Sequence, residues 1–303
     1  MTGKNGNRLF MAIVLVDYLV YLLLWRFQSS LQIGIAWNLF LSEMVLIVPA
    51  FVMLGITKTP LRVAFPIRKI KISSALMVIL FTYLMLPLTT VINAVTALFT
   101  ENAALEISGD VLDMPFFLMF LLMAVYGPIC EEFVFRGVMY QSHKNSGTAF
   151  GAFIVSACMF GLIHMNWNQA CYALVVGLAL VLLREATGSM IAPVLFHIVF
   201  NAQSVCMLYL SDHFMPGILE QASDESMLFS DIEQIIIVIS VYSVIALVTT
   251  SIAICVLVWI SKNENRMREL RNLFESRKMK PGRIITIPLI LGIVGCVISM
   301  IMD

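Results

Sequence analysis

The chain has 303 residues, of which 60% are hydrophobic and only 13% are charged, against about 25% charged in a typical soluble domain. Its formal net charge is zero, so no overall positive field indicates a nucleic-acid partner. Short segments of alternating hydrophobicity, the pattern of a barrel of membrane strands, are absent from the sequence. The composition therefore predicts an all-α protein, a polytopic bundle of about eight or nine transmembrane helices in a lipid bilayer.

Nine apolar segments approach the length of about 20 residues that a helix needs to cross about 30 Å of hydrocarbon. The first follows Lys4 and Arg8 without a small-residue cleavage site after it, so we interpret it as a span rather than a signal peptide. The fifth and sixth are short and could form a tight or partly re-entrant pair. The nine segments are residues 9–26, 35–55, 74–99, 114–138, 148–165, 167–183, 189–210, 234–260 and 284–302.

The charges of the connections predict the orientation of the bundle. Residues 56–73 carry five Lys or Arg and no acid, and residues 261–283 carry eight against three Glu. Residues 100–113 hold four acids and residues 211–233 hold six, in both cases without a base. Because cytoplasmic connections are enriched in Lys and Arg, nine spans place the amino terminus in the cytoplasm and the carboxyl terminus outside, in the cell membrane.

The fourth segment contains "GPICEEFVFRG", in which three charges follow a Gly127–Pro128 pair. Proline removes a helix hydrogen bond, so a bend or restart is expected there. Glu132 and Arg136 are four residues apart and can pair on one helix face. Glu131 points about 100° away and has no base at the third or fourth position after it, so it is free to face a cavity.

Two of the four histidines lie at membrane depth. His164 ends "FGLIH" in the fifth segment, and His197 lies in "PVLFHIVFN" of the seventh, with Asn201 on the same helix face. His143 and His213 fall in predicted connections, so we expect both at the surface.

These side chains together indicate a hydrolytic site. A buried glutamate such as Glu131 can take a proton from water while a neutral imidazole orients that water, and His197 with Asn201 can donate to a developing oxyanion. No "HExxH" pair is present. Glu131, His164 and His197 could still hold Zn²⁺ or another divalent metal and leave a position open for water, and the spacing leaves both mechanisms open.

The order of these motifs resembles that of the CPBP family of intramembrane proteases, which includes the CAAX prenyl endopeptidase and bacterial Abi-type proteins. The family signature is EExxxR, then FxxxH, then HxxxN. It is matched over roughly residues 115–205 by Glu131, Glu132, Arg136, Phe160, His164, His197 and Asn201.

The resemblance implies an endopeptidase, metal-dependent or of the glutamate type, that hydrolyses membrane-associated peptides or proteins. It implies that Glu131 with His164 activates the water, and that His197 with Asn201 holds the oxyanion; we count Glu132 with the catalytic residues, and assign Arg136 and Phe160 structural and charge-pairing roles. Within one membrane domain, it divides the chain into N-terminal helices (1–113), a catalytic core (114–210) and C-terminal helices (211–303).

Two other functions are compatible with the same residues. The chain could be a non-proteolytic membrane partner that confers immunity to a bacteriocin or regulates a sensor kinase. It could also be a transporter whose buried carboxylates relay protons.

One geometric condition must hold for any hydrolytic site. If the fourth and fifth segments simply cross the bilayer, Glu131 and His164 lie near opposite ends. We therefore expect tilt, a break at Pro128, or a fifth segment that does not cross.

Overall fold

The computed structural model describes residues 1–27, 33–100, 108–214, 228–275 and 282–302. Glu101, Glu106, most of the acidic segment 211–233 and residues 276–281 of the second basic segment lie outside that range. Every regular element among the described residues is helical. The ten main helices are α1 (Gly3–Phe27), α2 (Ile35–Ile56), α3 (Ile72–Thr96), α4 (Phe116–Lys144), α5 (Ala149–Leu162), α6 (Trp167–Thr187), α7 (Ile191–Phe214), α8 (Leu228–Asn263), α9 (Met267–Glu275) and α10 (Ile287–Met302), with short turns at Leu61–Ala64 and Ser108–Leu112.

Length and hydropathy confirm a polytopic helical membrane protein. In the described ranges, seven helices are long and apolar enough to cross a bilayer: α1, α2, α3, α4, α6, α7 and the Glu233–Asn263 part of α8. Helices α5 and α10 are also apolar but have only 14 and 16 residues. At 1.5 Å per residue, α5 is only about 21 Å long, less than the bilayer core of about 30 Å.

Helix α4 lies at the centre of the bundle and contacts α1, α2, α5 and α7. Around it, α3 packs against α6, α7 and α8, and α5 packs against α6. Helix α1 packs against α2 and α10. Phe135, Phe160 and Phe196 are almost completely buried at the centre. The catalytic motifs predicted from the sequence therefore lie in the most enclosed part of the molecule.

Helix α4 contains two π-helical segments. Its segments Phe120–Tyr126 and Phe133–Met139 are π-helical and flank a short α-helical segment, Gly127–Glu132. The helix does not restart at Gly127–Pro128, because the chain stays helical through Pro128 and changes from the π to the α register there. Single π turns inside α-helices occur frequently at functional sites.

The carboxyl-terminal end of α4 also differs from the prediction, because the helix continues to Lys144 rather than ending near residue 138. His143 consequently lies inside the bundle, fully buried, and its Nε2 donates to Asn7 Oδ1 at 2.6 Å. The prediction of a surface His143 was wrong, since α1 covers this end of α4. His213 is exposed, as predicted.

The two basic connections lie at the same end of the bundle. The backbone N–H of Lys71 donates to Glu264 Oε1 at 3.0 Å, and Asn263 Nδ2 donates to Ser74 Oγ at 2.8 Å. The Ser189 hydroxyl between α6 and α7 donates to the Arg68 carbonyl at 2.7 Å. These contacts bring the start of α3, the end of α8 and the α6–α7 turn together.

Candidate active site

Glu132 and Arg136 form the predicted ion pair. Arg136 Nη1 lies 2.9 Å from Glu132 Oε1, and both side chains are fully buried. The guanidinium also lies over the Phe160 ring, 3.8 Å from its centroid. A buried charge is costly without an opposite charge beside it, and Glu132 and Arg136 supply this to each other. The Phe160 ring adds a cation–π contact to Arg136. The expected pairing is confirmed, and the contact of Arg136 with Phe160 joins α4 to α5.

Glu132 has a second partner that the sequence did not predict. Its Oε1 accepts a hydrogen bond from His197 Nδ1 at 3.0 Å. Because Glu132 is paired with a cation, it acts as the acceptor and the imidazole carries its proton on Nδ1. This contact fixes the His197 ring so that Nε2 points toward Glu131, at 3.6 Å from Glu131 Oε2.

Glu131 has surroundings different from those of its neighbour. Its side chain is 18% exposed, compared with 0% for Glu132. Its Oε2 is buried and has no hydrogen-bond partner among the described residues. Glu131 therefore retains an acceptor oxygen that no described protein group uses, as expected for the carboxylate that faces a cavity.

His164 lies just beyond the end of α5. Its Nδ1 donates to the Phe160 carbonyl at 2.8 Å, so Nε2 keeps a lone pair. Met165, the next residue, has φ of 51°, a left-handed backbone conformation that is costly for a residue with a side chain and often occurs at functional sites. Asn166 then caps α6 by accepting from the Gln169 N–H. The chain thus reverses within a few residues and holds the imidazole at the turn.

Phe160 separates the two imidazoles. Its ring centroid lies 5.2 Å from that of His164 and 5.7 Å from that of His197, edge to face in both cases. Aromatic pairs of this geometry stabilise each other. Phe160 therefore holds both histidines and the Arg136 guanidinium around one ring.

Asn201 connects α7 to the first π-helical segment of α4. Its Nδ2 donates to the Met123 carbonyl at 3.0 Å. In this segment the Gly127 N–H bonds to the Leu122 carbonyl, five residues back. The next donor in that register would be residue 128, but proline has no N–H. Asn201 therefore satisfies the carbonyl that Pro128 leaves without a partner, and its second amide hydrogen remains available.

Glu131, His164, His197 and Asn201 all line one cavity of about 330 Å³. The geometric condition set by the sequence is met, because α5 is short and α4 extends to Lys144. Glu131 and His164 are therefore separated from the α4–α5 connection by nearly the same number of residues, which places them at similar depth.

Sequence reasoning missed one acidic residue of the cavity wall, Glu43 of α2. It is the single acidic residue in α2. A charged side chain within a span is costly and commonly functional, and this signal could have identified it. It was missed because α2 lies outside the three motifs.

The two imidazoles are oriented as metal-binding histidines usually are, each donating its other N–H to an oxygen. However, among the described residues no group of three or more His, Cys, Asp or Glu side chains is placed to hold a metal ion. The predicted set of Glu131, His164 and His197 is therefore not grouped as a metal site among the described residues.

The fold and the cavity define an integral membrane protein with a carboxylate–imidazole site enclosed by helices. Residues 113–203 match the family model described as type II CAAX prenyl endopeptidase Rce1-like, which confirms the resemblance seen in the three motifs. A Bacillus subtilis (strain 168) protein described as "putative membrane peptidase YdiL" is 26% identical over 90 residues.

That alignment covers 30% of this chain and 37% of the Bacillus protein, so the chain spans little more than a third of that relative's length. No solved structure matches the chain.

Proposed function

We propose that this protein is an intramembrane endopeptidase that hydrolyses peptide bonds of membrane-associated peptides or proteins. The observation that supports this most directly is the convergence of Glu131, His164, His197 and Asn201 on one cavity within an apolar bundle. The match of residues 113–203 to a prenyl-endopeptidase family model supports the same class. Prenylated substrates are suggested by the family description alone.

In the proposed mechanism, Glu131 is the general base. Its unpartnered Oε2 takes a proton from a water molecule in the cavity, and His164 orients that water by accepting its other O–H at Nε2. The resulting hydroxide attacks the peptide carbonyl carbon. General-base catalysis of this kind contributes about 10²- to 10⁴-fold.

Asn201 and His197 stabilise the oxyanion in this mechanism. Asn201 donates the amide hydrogen that the Met123 carbonyl does not use, and His197 donates from Nε2 when that nitrogen carries a proton. Donors already held in place need no reorganisation as charge develops. Glu132 and Arg136 act as positioning residues, because Glu132 holds the His197 ring and both lie outside the cavity wall.

We further propose that residues 114–210 form the catalytic core and that the flanking helices enclose it. The basic connections are assigned to the cytoplasmic face of the cell membrane, following the excess of Lys and Arg in residues 56–73 and 261–283.

The proposal is tested by incubating purified protein in lipid nanodiscs with a library of membrane peptides and identifying products by mass spectrometry. Glu131→Ala should abolish cleavage, whereas Asp17→Asn, which removes a carboxylate on α1 away from the cavity, should retain it. Cleavage by Glu131→Ala at the wild-type rate would refute the assignment of Glu131 as the base, and no cleavage by the wild-type protein would leave a non-proteolytic partner role. A parallel reaction with a chelator shows whether a divalent metal is required.

A further inference from the structure

Glu43 lies beside the catalytic segment of α4 because Gly127 has no side chain. A Cβ atom added at Gly127 would lie 3.1 Å from Glu43 Oε1. Three residues before Glu43, the Phe40 ring stacks on Tyr126 with centroids 5.5 Å apart, which holds α2 against α4 at this level. The Glu43 carboxyl group therefore occupies the space where a side chain of residue 127 would otherwise lie.

This position makes Glu43 a neighbour of Glu131. Residues four apart on a helix present adjacent side chains, and Gly127 is four residues before Glu131. Both carboxyl groups line the same cavity. Oε2 of each is buried and has no hydrogen-bond partner among the described residues. A second carboxyl group thus stands next to the proposed base.

The described wall of the cavity contains no Lys or Arg that could neutralise two carboxylates. Arg136, the buried cation nearby, is paired with Glu132 outside that wall. Two adjacent carboxyl groups in a water-poor site cannot both ionise at low cost. The other titratable groups around Glu43 are Tyr126 and Cys130 on α4, His164 beyond α5, Tyr172 on α6 and His197 on α7.

We propose that Glu43 is the general acid of the site, which protonates the amine that leaves when the peptide bond breaks. This inference rests on the proposed endopeptidase function. Peptide hydrolysis needs both a base for the water and an acid for the leaving nitrogen, and a base–acid pair that shares one proton supplies both.

The proton balance closes within this pair. Glu131 takes one proton from water and becomes a carboxylic acid, while the new C–O bond forms and the carbonyl becomes an oxyanion. When the oxyanion collapses, the C–N bond breaks and the protonated Glu43 donates its proton to the departing nitrogen. Glu131 then passes its proton to Glu43, either directly or through a water molecule, and the original state is restored.

The test compares two substrates that need different leaving-group assistance. One is a membrane peptide with an ordinary amide at the scissile bond. The other is the same peptide ending at that position in a 4-nitrophenyl ester, whose leaving group departs as an anion without protonation. Glu43→Gln should lower kcat for the amide about 100-fold, leave KM almost unchanged, and retain most of the ester hydrolysis. Glu131→Gln should lose both reactions.

Asp17→Asn serves as the matched control, because it also removes a carboxylate from a membrane-spanning helix but not from the cavity. Near-normal amide hydrolysis by Glu43→Gln would overturn the inference and leave the proposed endopeptidase intact. Equal loss of amide and ester hydrolysis would also overturn it, since that is the result of a structural role. Retention of both reactions by Glu131→Gln would instead refute Glu131 as the base, and no amide hydrolysis by the wild-type protein would refute the endopeptidase function itself.

Discussion

Glu131 and Glu132 are adjacent in the chain, but their carboxylates differ in burial and in hydrogen-bond partners. Glu132 is fully buried between Arg136 and His197, whereas Glu131 keeps an unpartnered oxygen at the cavity. A buried ion pair is costly to break, whereas an open acceptor beside a cavity is suited to chemistry.

We expect Glu132→Gln to destabilise the protein by about 3–5 kcal/mol, because it leaves the Arg136 charge buried without a counter-charge. Glu131→Gln should cost about 1 kcal/mol or less, since it breaks no described hydrogen bond. Thermal unfolding in detergent measures both. Equal destabilisation by the two substitutions would contradict the division of roles.

A second residue-level prediction concerns Gly127. Alanine at this position brings a Cβ to 3.1 Å from Glu43 Oε1 and should displace that carboxyl group, lowering kcat at least about 10-fold, because small misplacements of catalytic groups are costly. Gly55→Ala is the matched control on α2, since nothing lies within 4 Å of its added Cβ. In a Glu43→Ala background, Gly127→Ala should have little further effect. A full effect there would show that Glu43 is not the group displaced.

At the level of single elements, α4 shows which features the sequence could predict. The spacing of Glu132 and Arg136 predicted their pairing, because contacts four residues apart follow from helix geometry. The first π-helical segment could not be predicted, since its Met123 carbonyl is satisfied by Asn201 of α7. The buried His143 was missed for the same reason, because its surroundings come from α1, which is distant in sequence.

The Asn201–Met123 hydrogen bond and Pro128 should be thermodynamically coupled. Asn201→Ala leaves the Met123 carbonyl unsatisfied and should cost about 1–3 kcal/mol. In a Pro128→Ala background the cost should be about 1 kcal/mol smaller, because the new N–H of residue 128 can take that carbonyl in the π register. Unfolding of the four variants in detergent gives the coupling energy. Identical costs in both backgrounds would show that the two residues act independently.

At the scale of the whole molecule, charge is divided between the two ends of the bundle. Contacts of Lys71 and Ser74 with residues 263–264 join the basic connections. Val111 and Met114, which flank the acidic Asp113, pack instead in a cluster with Ile35 and Leu208. The start of α2 and the later part of α7 therefore lie at the other end.

Orientation can be measured by labelling single cysteines. In a background with the six native cysteines replaced, Lys69→Cys should be protected from a membrane-impermeant thiol reagent in intact cells, and Asp110→Cys should react. Both native side chains are exposed, so access depends on the membrane and not on burial in the protein. Permeabilised cells provide the control, because both cysteines should then react. The reverse pattern would invert the proposed topology.

The shortness of α5 has a consequence for the surrounding lipid. With 14 residues this helix covers only about 21 Å, and the turn that follows it carries His164 and Asn166. Acyl chains cannot solvate such a turn, so the bilayer must become thinner beside it or admit water there. We therefore expect a shorter path between the headgroups and the proposed catalytic carboxylates on the flank of α5.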